Sequence, residues 1–246
     1  MTRRPAAAFF DLDGTLMDRE PLMQVAIERM CTSSGLVLAD GEIAVLIGRA
    51  WPDVHAVLEI GPRLDLDLDA FLDLVFAEAA ALVADGFPVR VLDGGAALIE
   101  RLHGHGVPLM LVTGSVRSEA DLAIDELGIG AFLAGSLAGD EFAPNRPMTA
   151  DPATQRPGKP APDPYLIAAA SLGIDPADHA RCVVFEDSTV GVASARAAGM
   201  RVIATSAANR PAGEPGHQDL TAAHVAVREL HEVTDELLAT VLDLTP

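Results

Sequence analysis

At 246 residues, half of them hydrophobic, the chain is long enough for one large α/β domain or two modest ones around a sizeable core. Its formal charge of -19 excludes a surface for nucleic-acid backbones, which needs clustered Lys and Arg, and suits a bound cation. Two cysteines, Cys31 and Cys182, have neither CxxC spacing nor a histidine to complete a zinc set; they give no disulfide framework and point to a reduced, cytoplasmic setting.

The first apolar run, AAAFF, meets Asp11 and Asp13 at once, so the N-terminal segment reads as a short tail and a buried strand rather than a leader peptide. No stretch approaches the roughly 18 apolar residues of a membrane span, so no membrane partner is expected. From Arg19 to Phe87 the chain has helical periodicity (PLMQVAIERMCTSSG, GEIAVLIG, WPDVHAVLEIG, LDAFLDLVFAEAAALVADG) and no strand, which predicts an all-helical insertion. Beyond it, helical stretches (GGAALIERLHGHG, SEADLAIDELGI, DPYLIAAASLGI, TVGVASARAAGM) alternate with apolar runs (VPLMLV, AFLAGSLAGD, RCVVF, RVIATS, AHVAV). That alternation predicts an α/β core with a doubly wound parallel sheet, formed by residues 1–18 and 88–246, and a helical cap domain over 19–87. A Pro-rich stretch near residues 140–157 reads as a surface loop of unassigned role.

In an open α/β sheet, ligands lie at the carboxyl ends of the strands, so polar residues just after apolar runs are the candidates. They are Asp11 and Asp13 after AAAFF, Thr113, Gly114 and Ser115 after VPLMLV, Lys159 in GKPAPDP, and Glu186 and Asp187 after RCVVF. Lys159 is the sole lysine among 17 basic residues, which marks a position that needs a compact ammonium rather than a planar guanidinium.

Two carboxylates about 4 Å apart repel by about 4 kcal/mol at an effective dielectric near 20, so Asp11 beside Asp187 calls for a counter-charge. Oxygen ligands without His or Cys suit Mg2+, which also screens a phosphate approaching a carboxylate. Thr113, its neighbouring N–H groups and Lys159 would donate to phosphate oxygens. Asp11 would attack phosphorus, and Asp13 would protonate the leaving oxygen and later deprotonate water.

With these residues the chain resembles the haloacid dehalogenase superfamily, in its β-phosphoglucomutase-like branch with a helical cap. DLDGT (11–15), VTGS (112–115), GKPAPDPY (158–165) and VVFEDS (183–188) match its four motifs in order. The resemblance implies a Mg2+-dependent phosphomonoesterase that acts on a small phosphorylated metabolite, a sugar or polyol phosphate, through an aspartyl phosphate. It implies Mg2+ ligation by Asp11, the carbonyl of Asp13, and Asp187, with Glu186 in or just behind that set. Phosphate would be bound by Thr113, Gly114, Ser115 and Lys159, and Arg117, Arg49 and Trp51 are candidate substrate contacts.

Two other functions use similar residues. A phospho-receiver signalling module has an acidic pair, a phosphorylatable Asp, a Thr and a Lys, but its chain is about half as long and lacks DxDGT. A β-phosphoglucomutase carries a cap histidine where this chain has Met23, a departure that favours hydrolysis over mutation.

Overall fold

The computed structural model describes residues 4–39, 41–43, 51–142 and 156–244. Its strands are β1 (Ala8–Phe10), β2 (Met17–Asp18), β3 (Arg90–Val91), β4 (Leu109–Val112), β5 (Gly135–Leu137), β6 (Val183–Glu186), β7 (Arg201–Thr205) and β8 (Val225–Val227). Its α-helices are α1 (Glu20–Ser33), α2 (Trp51–Val57), α3 (Ile60–Leu64), α4 (Leu68–Ala84), α5 (Gly95–Gly104), α6 (Arg117–Leu127), α7 (Asp163–Ser171), α8 (Thr189–Ala197) and α9 (Asp235–Asp243). No helix among the described residues is long and apolar enough to cross a membrane.

The expected parallel sheet is present, in the order β5-β4-β1-β6-β7-β8. Phe9 lies opposite Met110 on one side and Val184 on the other, so β1 is central. Strands β1, β4, β6 and β7 are buried throughout, which is why they read as unbroken apolar runs rather than as alternating ones. On one face Phe9, Val112, Val184 and Val202 pack with Tyr165 and Ala168 of α7 and Val192 and Ala195 of α8. On the other, Phe10 and Phe185 stack with ring centres 4.5 Å apart. Each such side chain withdrawn from water contributes about 1.5–3 kcal/mol.

From β1 the strand order runs outward through β4 to β5, then returns beside β1 as β6 and continues through β7 to β8. The reversal falls between β1 and β6, so their carboxyl ends, with that of β4 alongside, lie where an open sheet places a ligand.

The chain divides into two compact units, residues 1–17, 91–209 and 219–246 in one, and residues 18–90 and 210–218 in the other. Strands β2 and β3 pair with each other, and the boundaries at 17/18 and 90/91 fall within them. The second unit is helical: Leu22, Ala26, Ile27 and Met30 of α1 are buried with Phe71, Val75 and Ala79 of α4. The stretch WPDVHAVLEIG, which reads as one helix, is two, because Glu59 takes a left-handed conformation (φ 51°) between α2 and α3. The sequence pattern also did not single out α9. It starts at Thr234, whose side chain accepts from the N–H of Leu237 at 3.2 Å, with Asp235 and Glu236 favouring its first turn.

Candidate active site

The ladder between β1 and β6 extends one residue past β1, where the N–H of Asp11 donates to Phe185 O at 3.0 Å. This holds Asp11 beside the end of β6, and Asp11 is 7% exposed. The chain then turns sharply: the N–H groups of Thr15, Leu16 and Met17 all donate to Leu12 O, and that of Gly14 donates to Met17 O. Gly14 is needed there twice over. Its φ is +81°, and a Cβ on it would lie 1.9 Å from Oδ2 of Asp187. Thr15 Oγ1 donates to Oδ1 of the same Asp187 at 3.3 Å, so the turn cradles that carboxylate.

Lys159 Nζ donates to Oδ1 of Asp11 at 2.7 Å, to Oε1 of Glu186 at 2.6 Å and to Val112 O at 2.9 Å. An ammonium has three donors, and all three are used. Glu186 is fully buried. Its Oε1 also accepts from the Tyr165 hydroxyl at 2.8 Å, and its Oε2 accepts from the N–H groups of Asp187 and Ser188 and from the Ser188 hydroxyl. The Tyr165 ring centre lies 5.1 Å from Lys159 Nζ, within cation–π range.

The electrostatics follow from one ammonium facing three carboxylates. Burial pushes the Asp11 carboxyl up to about 7, although Lys159 pulls the other way. Asp187 is raised well above the usual carboxylate range by burial, by Asp11 and by Glu186. Burial would raise Glu186 too, but Lys159 and the hydrogen bonds from Lys159, Tyr165 and Ser188 hold it below its ordinary value. Burial disfavours the charge on Lys159, and Asp11 and Glu186 outweigh it, so its proton is held more firmly than usual. Asp11, Glu186 and Asp187 offer oxygens within 4.8 Å of one another. This surplus of buried carboxylate, with an all-oxygen donor set, fits a hard divalent cation. The one other such group among the described residues, Asp93, Glu229 and His231, is largely exposed, and the imidazole Nδ1 lies 2.8 Å from Asp93 Oδ2 and 3.2 Å from Glu229 Oε2.

Thr113 follows β4 and is 3% exposed, with its N–H donating to Leu137 O at 3.0 Å. Its Oγ1 accepts from the N–H of Ser115, and the Ser115 hydroxyl donates to Oδ2 of Asp13. Arg117 is taken up elsewhere: its guanidinium donates to Ser136 Oγ at 2.6 Å and Ser136 O at 3.0 Å and pairs with Glu141 and Asp121. Trp51 packs edge-on against Phe71 and Phe76 in the helical unit. Arg49 lies outside the described residues, as does most of the Pro-rich loop, 143–155. The sequence reading did not mark Thr15 and Tyr165. A signal for Tyr165 was there, since it is the only tyrosine in the chain and closes the GKPAPDPY segment.

Residues 5–199 match the family model described as haloacid dehalogenase-like hydrolase. The chain is 29% identical over 205 residues to the fructose-1-phosphate phosphatase YqaB of Escherichia coli, covering 82% of this chain and 97% of that one. It is 32% identical over 207 residues to hexitol phosphatase A of the same organism, covering 84% of each. Among solved structures, CbbY from Rhodobacter sphaeroides in complex with phosphate superposes with a TM-score of 0.71 at 23% identity, over 93% of this chain and 96% of that one.

Proposed function

This chain belongs to the haloacid dehalogenase-like hydrolase family and is a phosphatase of small phosphorylated metabolites, and we propose that it hydrolyses a sugar or polyol phosphate through a phosphoryl group carried on Asp11, with Mg2+ as its cation. The observation that carries this reading is the buried convergence of Asp11 and Glu186 on the single ammonium of Lys159 at the strand ends, with an oxygen of Asp187 within 4.8 Å of theirs.

Asp11 and Asp187, with the main-chain carbonyl of Asp13, would hold the ion. Glu186, whose oxygens already accept from Lys159, Tyr165, Asp187 and Ser188, anchors the lysine behind them. The cation, when bound, neutralises phosphoryl oxygens so that an anionic carboxylate can approach phosphorus.

The chain's own groups then divide the work. Asp11 attacks phosphorus as the bond to the leaving oxygen breaks, and Asp13 gives that oxygen its proton. In the second half, Asp13 takes a proton from water, whose oxygen attacks phosphorus and releases Asp11. Thr113 and the main chain at Gly114 donate to the phosphoryl oxygens as charge shifts among them, and Lys159, its three donors engaged by Asp11, Glu186 and Val112, adds its positive charge beside Asp11. Both cysteines are free and buried, which suits a reducing, cytoplasmic setting.

The test is incubation with Mg2+ and a panel of phosphate esters that includes fructose 1-phosphate, hexitol phosphates and β-glucose 1-phosphate. Phosphate release from one or a few sugar or polyol phosphates is the expected result. Glucose 6-phosphate formed without matching phosphate release would replace hydrolysis by mutation.

A further inference from the structure

The hydroxyl of Ser115 donates to Oδ2 of Asp13, although 102 residues of chain separate the two. Ser115 is 9% exposed, and its main chain is held from both sides. Its N–H donates to Thr113 Oγ1 at 3.0 Å, and its carbonyl accepts from the N–H of Gly139 at 2.6 Å. Gly139 comes that close because it has no side chain: a Cβ there would lie 1.9 Å from Gly114 O. A clamped backbone therefore aims the Ser115 oxygen at Asp13.

We infer that Ser115 is a positioning residue for proton transfer, fixing which oxygen of Asp13 carries the proton. The inference rests on the reading of Asp13 as the general acid. A hydroxyl that donates to Oδ2 keeps that oxygen an acceptor, and the proton of the acid form then sits on Oδ1. Without that donor Oδ2 takes the proton as readily as Oδ1, and the acid spends part of its time misaligned.

The consequence is selective, because leaving groups differ in their need for a proton. The alkoxide of a sugar or polyol leaves only as it is protonated, whereas p-nitrophenolate leaves unaided. Ser115 is thus tuned to alkyl esters. A hydroxyl that instead bound the phosphoryl group would serve both kinds of ester alike.

The experiment compares kcat/KM on p-nitrophenyl phosphate with that on fructose 1-phosphate, or on whichever sugar or polyol phosphate the wild type turns over fastest. Ser115→Ala lowers the ratio of alkyl-ester to aryl-ester kcat/KM by about tenfold or more, and Ser115→Thr restores the ratio. In an Asp13→Asn background, Ser115→Ala moves the ratio no further, as expected when one residue acts through the other. Because the ratio is taken within one sample, partial misfolding cancels, and Ser115→Gly repeats the reading if the alanine variant does not fold. Equal losses on both esters, or a further change of ratio in the Asp13→Asn background, overturn the inference alone. A wild type that hydrolyses neither ester overturns the proposed function and this inference with it.

Discussion

Lys159 Nζ lies 2.7 Å from Oδ1 of Asp11, so the one lysine of the chain is bonded directly to the carboxylate proposed as nucleophile. The ammonium also reaches Glu186 at 2.6 Å and Val112 O at 2.9 Å. These three acceptors fix its position at the ends of β1, β4 and β6.

A guanidinium cannot replace it. Its planar fork is larger and cannot point three donors at acceptors arranged around one nitrogen. Lys159→Arg keeps the charge and is expected to lower kcat by about a hundredfold, measured by steady-state phosphate release. Lys159→Ala leaves Glu186 buried without its cation and should cost about 3–5 kcal/mol in a urea melt. Near-normal kinetics for Lys159→Arg would show that a compact ammonium is not required.

Asp13→Asn keeps the shape of the side chain and removes the proton donor. The expected loss is about a hundredfold or more on alkyl phosphates and much less on p-nitrophenyl phosphate. Equal losses on the two ester classes would remove the acid role.

Gly14→Ala should damage the site more than the fold. An alanine at φ +81° carries about 1–2 kcal/mol of strain, and its Cβ displaces the Asp187 carboxylate that the turn cradles. The expected pattern is a modest fall in melting temperature with a large rise in the Mg2+ concentration needed for half-maximal activity. Unchanged Mg2+ dependence would argue against Asp187 as a ligand.

Removing the divalent ion tests the charge argument directly. With EDTA, turnover should cease, and Mg2+ should raise the melting temperature by relieving the repulsion among Asp11, Glu186 and Asp187. Full activity after exhaustive chelation would contradict the assignment.

His224 gives a pH dependence unrelated to the site. Burial and the facing Arg196 and Arg201 hold its imidazole down at about 4, against 6.5 for the free group. Below about pH 6.5 the unfolded chain takes up a proton that the folded chain refuses, so stability falls as pH drops from about 6.5 to about 4 and owes nothing to this group above that window. His224→Gln should flatten that slope in melts recorded between pH 4 and 7.

Much of this was legible in the sequence because its causes are local. A strand buried on both faces must be a short apolar run, and a ligand at its carboxyl end must show as polar residues just after it; hence β1, β4 and β6 and the residues that follow them could be read directly. The scarcity of lysine marked Lys159. Contacts between distant segments could not be read in this way. That the Ser115 hydroxyl meets Asp13, that Tyr165 in an Ala-rich helix bonds Glu186, and that Arg117 is engaged by Ser136, Glu141 and Asp121 all depend on tertiary packing. The edge-on packing of Trp51 against Phe71 and Phe76 depends on tertiary packing too. The break at Glu59 left no signal, since a left-handed glutamate has no compositional mark.

The most direct test of the central claim is to trap the phosphoryl group. Wild-type enzyme mixed with Mg2+ and its fastest sugar or polyol phosphate is quenched in acid within milliseconds, and its peptides are examined by mass spectrometry. One phosphoryl group is expected on the peptide containing Asp11, absent in Asp11→Asn, which also loses more than about a thousandfold in turnover while its circular dichroism and melting stay near wild type. Substantial turnover by Asp11→Asn, or phosphoryl transfer to another residue, would contradict that claim.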